Sequence, residues 1–349
     1  MLEHGGRLRD AALHYGIAEA EWLDLSSGIS PWPWPIPEIP ARAWARLPET
    51  DDGLELAACA YYGAPRVLPV PGSQAAIQAL PRLRRAGKVG VLSPCYAEHA
   101  EAWRANGFRV REVFEHEVDF FIDSLDVLVV VNPNNPTGLS IAPERLLEWH
   151  AHLAQRGGWL VVDEAFMDNT PQLSLTAEAW RVGLIVLRSF GKFFGLAGVR
   201  LGFVIAEPQL LKLLARQIGP WAVSGPTRVL GQVCLSDVEG HRLQRLRTEH
   251  ASQRLAELLS QYGLKPQGGC ALFQWLTTPH AVQVYEFCAR RGILLRLFLN
   301  TGSPHHSALR FGLPAEEVDW QRFERALSDY TKEIRSEEHT SELQSPRLS

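Results

Sequence analysis

Long apolar runs, paired cysteines and an excess of either charge are all missing from this 349-residue chain. No apolar run approaches the ~20 residues that cross a bilayer, so a membrane span is not expected. The five cysteines (Cys59, Cys95, Cys234, Cys270, Cys288) are odd in number and never spaced C-x-x-C. That argues against a disulfide framework or a zinc site, and for a reducing compartment. His305 and His306 are adjacent, so their side chains point apart; with no acidic partner spaced for coordination, no metal is expected. The formal net charge of -4 offers no electrostatic case for nucleic acid or an anionic membrane. The opening, MLEHGGRLRD, mixes charges early and has no apolar core segment, so the expectation is no secretory leader and a cytoplasmic location.

What is present is enough apolar content, 46%, for one large domain with a smaller partner. Short apolar runs at 67–70, 88–93, 126–131, 159–162 and 182–187 read as buried strands. Helical patterns fall between and around them, at 53–63, from 75, at 98–106, 143–156 and 208–217. The run at 126–131 has the near-unbroken apolar character of a parallel strand covered on both faces. The alternation predicts an α/β domain with a mostly parallel central sheet. In such sheets the polar loops at the carboxyl ends of the strands bind ligands. After residue 225 helices at 240–261 and 281–290, with strands at 271–276, 293–297 and 309–313, predict a smaller domain.

The chemistry gathers on the segment SFGKFFGLAGVR, residues 189–200. Lys192 stands in an apolar, glycine-bearing loop, where burial and nearby cations favour the neutral amine that attacks a carbonyl. Ser189 and Arg200 can hold a phosphate, one as a hydroxyl donor and the other as a planar fork. A carbonyl-condensing lysine beside a phosphate cradle suggests pyridoxal phosphate; a surface lysine in an ordinary loop is the plainer alternative. Upstream, Pro71-Gly72-Ser73-Gln74 joins a strand to a helix start, whose free N–H groups suit a phosphate. Asp163 ends a buried strand, where a carboxylate needs a partner. A pyridinium N–H is one such partner and a helix N-terminus is another. Asn132-Pro133-Asn134-Asn135-Pro136-Thr137-Gly138 is a tight loop by its dipeptides.

S-x-x-K followed by G-L-A-G-x-R, with N-P-x-N-P-T-G and the strand-end aspartate before it, resembles the fold-type I pyridoxal-phosphate enzymes, the aspartate aminotransferase superfamily. The resemblance covers roughly residues 4–330. It implies a fold-type I transferase architecture: an arm at 1–46, a large α/β cofactor domain at 47–224 and a small α+β domain at 225–334. It implies a homodimer and a small phosphorylated amino-acid substrate, with neither nucleic acid nor membrane as partner. It assigns Lys192 as the catalytic, cofactor-bearing lysine. Gly72, Ser73, Ser189 and Arg200 would surround the cofactor phosphate, Tyr96 would stack on the ring, Asn135 would meet the phenolic oxygen and Asp163 the ring nitrogen. Arg310, in Leu309-Arg310-Phe311-Gly312, would clamp the substrate carboxylate, and His4 and Arg296 would bind its phosphate.

Within the superfamily the chain is similar to histidinol-phosphate aminotransferases and the related threonine-phosphate decarboxylases. His4-Gly5-Gly6, then Asp24-Leu25-Ser26 before the proline-rich 31–40, point to the decarboxylase branch. So does Phe166, where the aminotransferases carry tyrosine. Leu47 replaces a tyrosine that in those enzymes donates to the cofactor phosphate of the neighbouring subunit; either that donor is missing or it comes from elsewhere, for example Tyr61 or Tyr62. The implied reaction is loss of carbon dioxide from L-threonine O-3-phosphate in cobalamin biosynthesis, with histidinol-phosphate transamination as the alternative. A non-catalytic aminotransferase-like regulator is a further alternative, though no DNA-binding segment precedes residue 4. An S-x-x-K serine enzyme would need a K-T-G partner that is absent. Residues 335–349, RSEEHTSELQSPRLS, are polar and aperiodic, and read as a disordered, functionless tail alien to the fold.

Overall fold

The computed structural model describes residues 5–299 and 307–344, with side chains to residue 333. The chain divides into two compact units, Trp32–Thr248 and the described residues within Glu3–Pro31 and Glu249–Ser349. The sequence placed the limits at 46/47 and 224/225. The contacts instead assign the helix Gly225–Ser236 to the larger unit, because Leu230, Cys234 and Leu235 join its core.

The larger unit is built on a seven-stranded sheet ordered Leu68–Val70, Gly202–Ile205, Leu184–Ser189, Trp159–Asp163, Val127–Val131, Lys88–Leu92, Arg109–Val113. All neighbours are parallel except Gly202–Ile205, which is antiparallel to both of its own. Successive residues of a strand face opposite ways, and both faces are covered. Val127 and Val129 pack with the helices Ser73–Ala79, Glu98–Ala105 and Pro208–Ile218. Leu128 and Val130 pack with Leu54–Tyr62, Pro143–Ala154 and Gly225–Ser236. This double burial explains the apolar runs in the sequence. The register pairs Val131 with Asp163 and Asp163 with Leu187, so two strands end level, the third runs two residues further to Ser189, and their following loops share one edge.

The smaller unit holds a four-stranded antiparallel sheet ordered Arg296–Phe298, Ala308–Gly312, Phe273–Thr277, Gly268–Cys270. A short parallel pair joins Leu23–Asp24 to Ile293–Leu294. The helices Leu8–Tyr15, Ala281–Ala289 and Glu317–Gln344 complete it. Among the elements that escaped the sequence reading, two are instructive. Arg109–Val113 is an edge strand in which only Val113 is buried, so it carries no apolar run. Glu317–Gln344 presents Trp320, Phe323, Leu327 and Tyr330 inward at helical spacing. Its backbone stays helical through Gln344, past the point at which the expected disorder was to begin.

Candidate active site

Two of the loops at this shared edge are braced by residues that do not face the cavity. In the loop after Val127–Val131, buried Asn132 donates through Nδ2 to the Ile141 carbonyl and accepts at Oδ1 from the Ile141 N–H (3.1 and 2.8 Å). Asn134 Nδ2 donates to the Pro94 carbonyl and to Thr137 Oγ1. Both asparagines brace the turn, and Asn135 is the one that lines the cavity. The strand Leu184–Ser189 runs directly into a helical turn, Phe190–Phe193, rather than the loop expected around Lys192. Phe190 and Phe193 are buried there, and Lys192 Nζ lies 5.9 Å from the centre of the Phe166 ring. Arg200 adopts a left-handed backbone, φ 55° and ψ 54°.

These pieces enclose a cavity of about 140 Å³ lined by Gly72, Ser73, Gln74, Tyr96, Asn135, Asp163, Phe166, Ser189, Lys192 and Arg200. Every residue the sequence assigned to the cofactor is in that lining. Two glycines allow the close approach. A Cβ on Gly72, whose φ is +76°, would stand 2.6 Å from Arg200 Nη2. One on Gly202 would stand 2.5 Å from the Ser73 nitrogen.

Asp163 is almost fully buried. Its Oδ1 accepts the Ala165 N–H at 3.1 Å, and its Oδ2 lies 2.8 Å from His99 Nε2. His99 is likewise buried, on the helix Glu98–Ala105. An ionised carboxylate has about four lone-pair sites, so Asp163 keeps accepting capacity toward the cavity. Tyr96 donates its hydroxyl to Gln74 Oε1 at 3.1 Å, and its ring meets His99 edge-on at 6.1 Å between centroids. Burial, with Glu98 and Asp163 nearby, pushes the Tyr96 hydroxyl up to about 12. The sequence reading missed His99 and Gln74. The first sits one turn along from Tyr96 and the second directly follows Ser73, which was the available signal.

Behind the site a second polar cluster is closed to solvent. Arg188 bridges Glu164 (2.9 Å) and Asp168 (3.0 Å) and lies over the Tyr62 ring. Tyr61 donates to Asp168 Oδ1 at 3.0 Å. Both tyrosines pack in this cluster, and neither lines the cavity as a substitute for the hydroxyl absent at Leu47, which is itself 64% exposed.

In the smaller unit the sequence motifs meet around Ser26. Its backbone carbonyl accepts from Arg310 Nη2 at 2.7 Å, and its hydroxyl accepts from the Gly6 N–H at 2.8 Å. Gly5 packs so closely that a Cβ would fall 2.5 Å from the Ser26 oxygen. Arg296 and Arg310 are direct partners across antiparallel strands. Burial, with the like charge of Arg296, brings the Arg310 guanidinium down to about 10. Two cations held in register favour an anionic ligand. Arg296, Gly5, Gly6 and Ser26 also line a cleft of about 710 Å³. His4 lies outside the described residues, as do His305 and His306. Among the described residues no cluster of His, Cys, Asp and Glu could hold a metal ion, and no helix is long and apolar enough to cross a membrane.

The model of the family "Aminotransferase class I and II" matches residues 41–314. A threonine-phosphate decarboxylase of Pseudomonas aeruginosa is 62% identical over 327 residues, covering 94% of this chain and 97% of that one. A second, from Sinorhizobium sp., is 43% identical over 331 residues, 93% and 97% of the two chains. Among solved structures, histidinol-phosphate aminotransferase from Sinorhizobium meliloti in complex with pyridoxal-5'-phosphate superposes with a TM-score of 0.84 at 18% identity, over 95% of this chain and 96% of that one. At that identity the likeness speaks to the fold.

Proposed function

Because this chain belongs to the aminotransferase class I and II family, we propose that it is a pyridoxal-phosphate-dependent lyase that removes carbon dioxide from L-threonine O-3-phosphate, leaving (R)-1-aminopropan-2-yl phosphate. The observation that carries this reading is the identity to the Pseudomonas aeruginosa decarboxylase, which extends over nearly the whole of both chains. Phe166 and Leu47, the two departures from the aminotransferase pattern, support the same branch.

The cavity lining suits the cofactor group by group. Ser73, Ser189 and Arg200 supply hydroxyl and guanidinium donors for a phosphate, and Gly72 and Gly202 leave the room beside them. Asp163, oriented by His99, suits a ring N–H; Asn135 suits a ring oxygen; Tyr96 offers an aromatic face. Lys192 supplies the amine for the aldehyde. Pyridoxal phosphate, when bound, supplies an electron sink for the pair left as a bond to the substrate α-carbon breaks. Arg310 grips the carboxylate, and Arg296 with His4 holds the substrate phosphate. Together they decide which α-carbon bond is held in the breaking position. Once carbon dioxide has left, Lys192 Nζ returns a proton to the α-carbon. We read the enzyme as a cytoplasmic homodimer, in line with its resemblance to fold-type I enzymes.

The test is carbon dioxide release from L-threonine O-3-phosphate by the cofactor-loaded protein with 2-oxoglutarate omitted. Release that disappears in Lys192→Ala supports the reading. Amino transfer from histidinol phosphate to added 2-oxoglutarate, with no release of carbon dioxide, would overturn it.

A further inference from the structure

The helix Glu98–Ala105 begins with two residues that reach the cavity by different routes. His99 goes directly to Asp163. Glu98 goes through an intermediary: its Oε2 accepts from Gln74 Nε2 at 3.0 Å and from Gln78 Nε2 at 3.4 Å. A carboxylate can only accept, so the amide nitrogen of Gln74 must face Glu98. The amide oxygen then faces Tyr96, and the Tyr96 hydroxyl must be the donor of their 3.1 Å bond. One end of the Tyr96 ring is therefore tied by a polar chain whose direction Glu98 dictates. The ring edge rests against His99, with planes at 85°.

We infer that Glu98, acting through Gln74, is a positioning residue that holds Tyr96 in a single orientation in the cavity. The role of Tyr96 as the ring-facing aromatic rests on the reading above; the hydrogen-bond chain does not. Gln74 is thereby more than a helix-start residue beside the phosphate cradle. It transmits the charge of Glu98 to the aromatic wall, and it commits the Tyr96 proton to the protein. Tyr96 is in consequence not a proton donor to the reacting atoms. Removing Glu98 frees the Gln74 amide to turn, and removing Gln74 frees the ring.

The test compares the cofactor-loaded parent with Glu98→Leu, Gln74→Leu, Tyr96→Phe and the double variant Gln74→Leu/Tyr96→Phe. It reads kcat and KM on L-threonine O-3-phosphate, and the visible circular dichroism of the bound cofactor. Gln74→Leu is expected to lower kcat about three- to tenfold, with KM moved by less than about twofold. It should also weaken the dichroic band, and both effects should disappear when Tyr96→Phe is already present. Glu98→Leu should reproduce them more weakly. An equal effect of Gln74→Leu in both backgrounds overturns the relay, as does a dichroic band unchanged in both Glu98→Leu and Gln74→Leu. Glu98→Gln, which keeps size and an acceptor, serves if Glu98→Leu fails to fold; it should sit between parent and Gln74→Leu, and a band weaker than that of Gln74→Leu would count against the relay. A protein that shows the band but releases no carbon dioxide sinks the assigned reaction, while the dichroism still decides the relay.

Discussion

Asp163 and Glu164 are consecutive carboxylates at the end of one strand, and they have opposite fates. Glu164 points behind the sheet, where Arg188, Ser174 and the Leu175 N–H occupy its oxygens. Burial pushes its carboxyl up, with Arg188 pulling the other way. Asp163 points into the cavity, with His99 and the Ala165 N–H as its side-chain partners among the described residues. A carboxylate satisfied by protein on every side is structural, whereas one held firmly but left with accepting capacity is available to a ligand. Burial alone does not tell them apart, since both are almost inaccessible. The distinction lies in what the remaining lone pairs face.

The comparison predicts that changes in front of the sheet strike catalysis and changes behind it strike stability. Asp163→Asn keeps the size and the His99 contact but removes the charge. It should lower decarboxylation on the order of 10²- to 10³-fold, with the melting temperature close to that of the parent. A large loss of melting temperature with kcat retained would erase the contrast. Glu164→Ala leaves buried Arg188 with Asp168 as its one carboxylate partner among the described residues, and should cost about 3–5 kcal/mol in urea unfolding, with kcat per folded molecule little changed. Acid should act behind the sheet too. His150 and His241 are buried against the Val182 and Cys234 carbonyls, and burial lowers both below the ordinary imidazole value. A base lowered in the folded state takes up its proton first in the unfolded chain, so stability should fall as pH drops through about 6.5. Unfolding midpoints measured from pH 7 to pH 5 would show this, and His241→Gln should flatten the slope. The smallest expected effect is none: removing residues 335–349 should leave both melting temperature and carbon dioxide release unchanged, and a fall in either would give that segment a role.

Motif order made the sheet, the cavity lining and the cofactor readable in the chain. Apolar strands, each ended by a polar loop, place Gly72, Asn135, Asp163 and Lys192 at one edge whatever the details of packing. Partners supplied by other elements were not readable. His99 is an unremarked helix residue until the fold sets it 2.8 Å from Asp163. Arg188 directly follows an apolar run and draws no notice until Glu164 and Asp168 are found around it. Tyr61 and Tyr62 looked like spare donors because a sequence gives residue type without direction. The edge strand Arg109–Val113 was invisible for a related reason, since one buried residue makes no pattern.

The antiparallel strand Gly202–Ile205 has a consequence for how this protein can change. Ser189 pairs with Gly202, so the chain from 190 to 201 leaves the sheet and returns to the adjacent position. Lys192 stands near the departure of that closed loop and Arg200 near its return. On the proposed reading, an amine and a guanidinium that would serve the two ends of one small molecule are thus carried on a single tether of set length. Insertions here would separate the two functions even if each residue were kept, whereas loops at the opposite edge of the same sheet could lengthen freely. If that reading holds, the loop is a gauge for its ligand, and its length should be among the last features of this chain to drift.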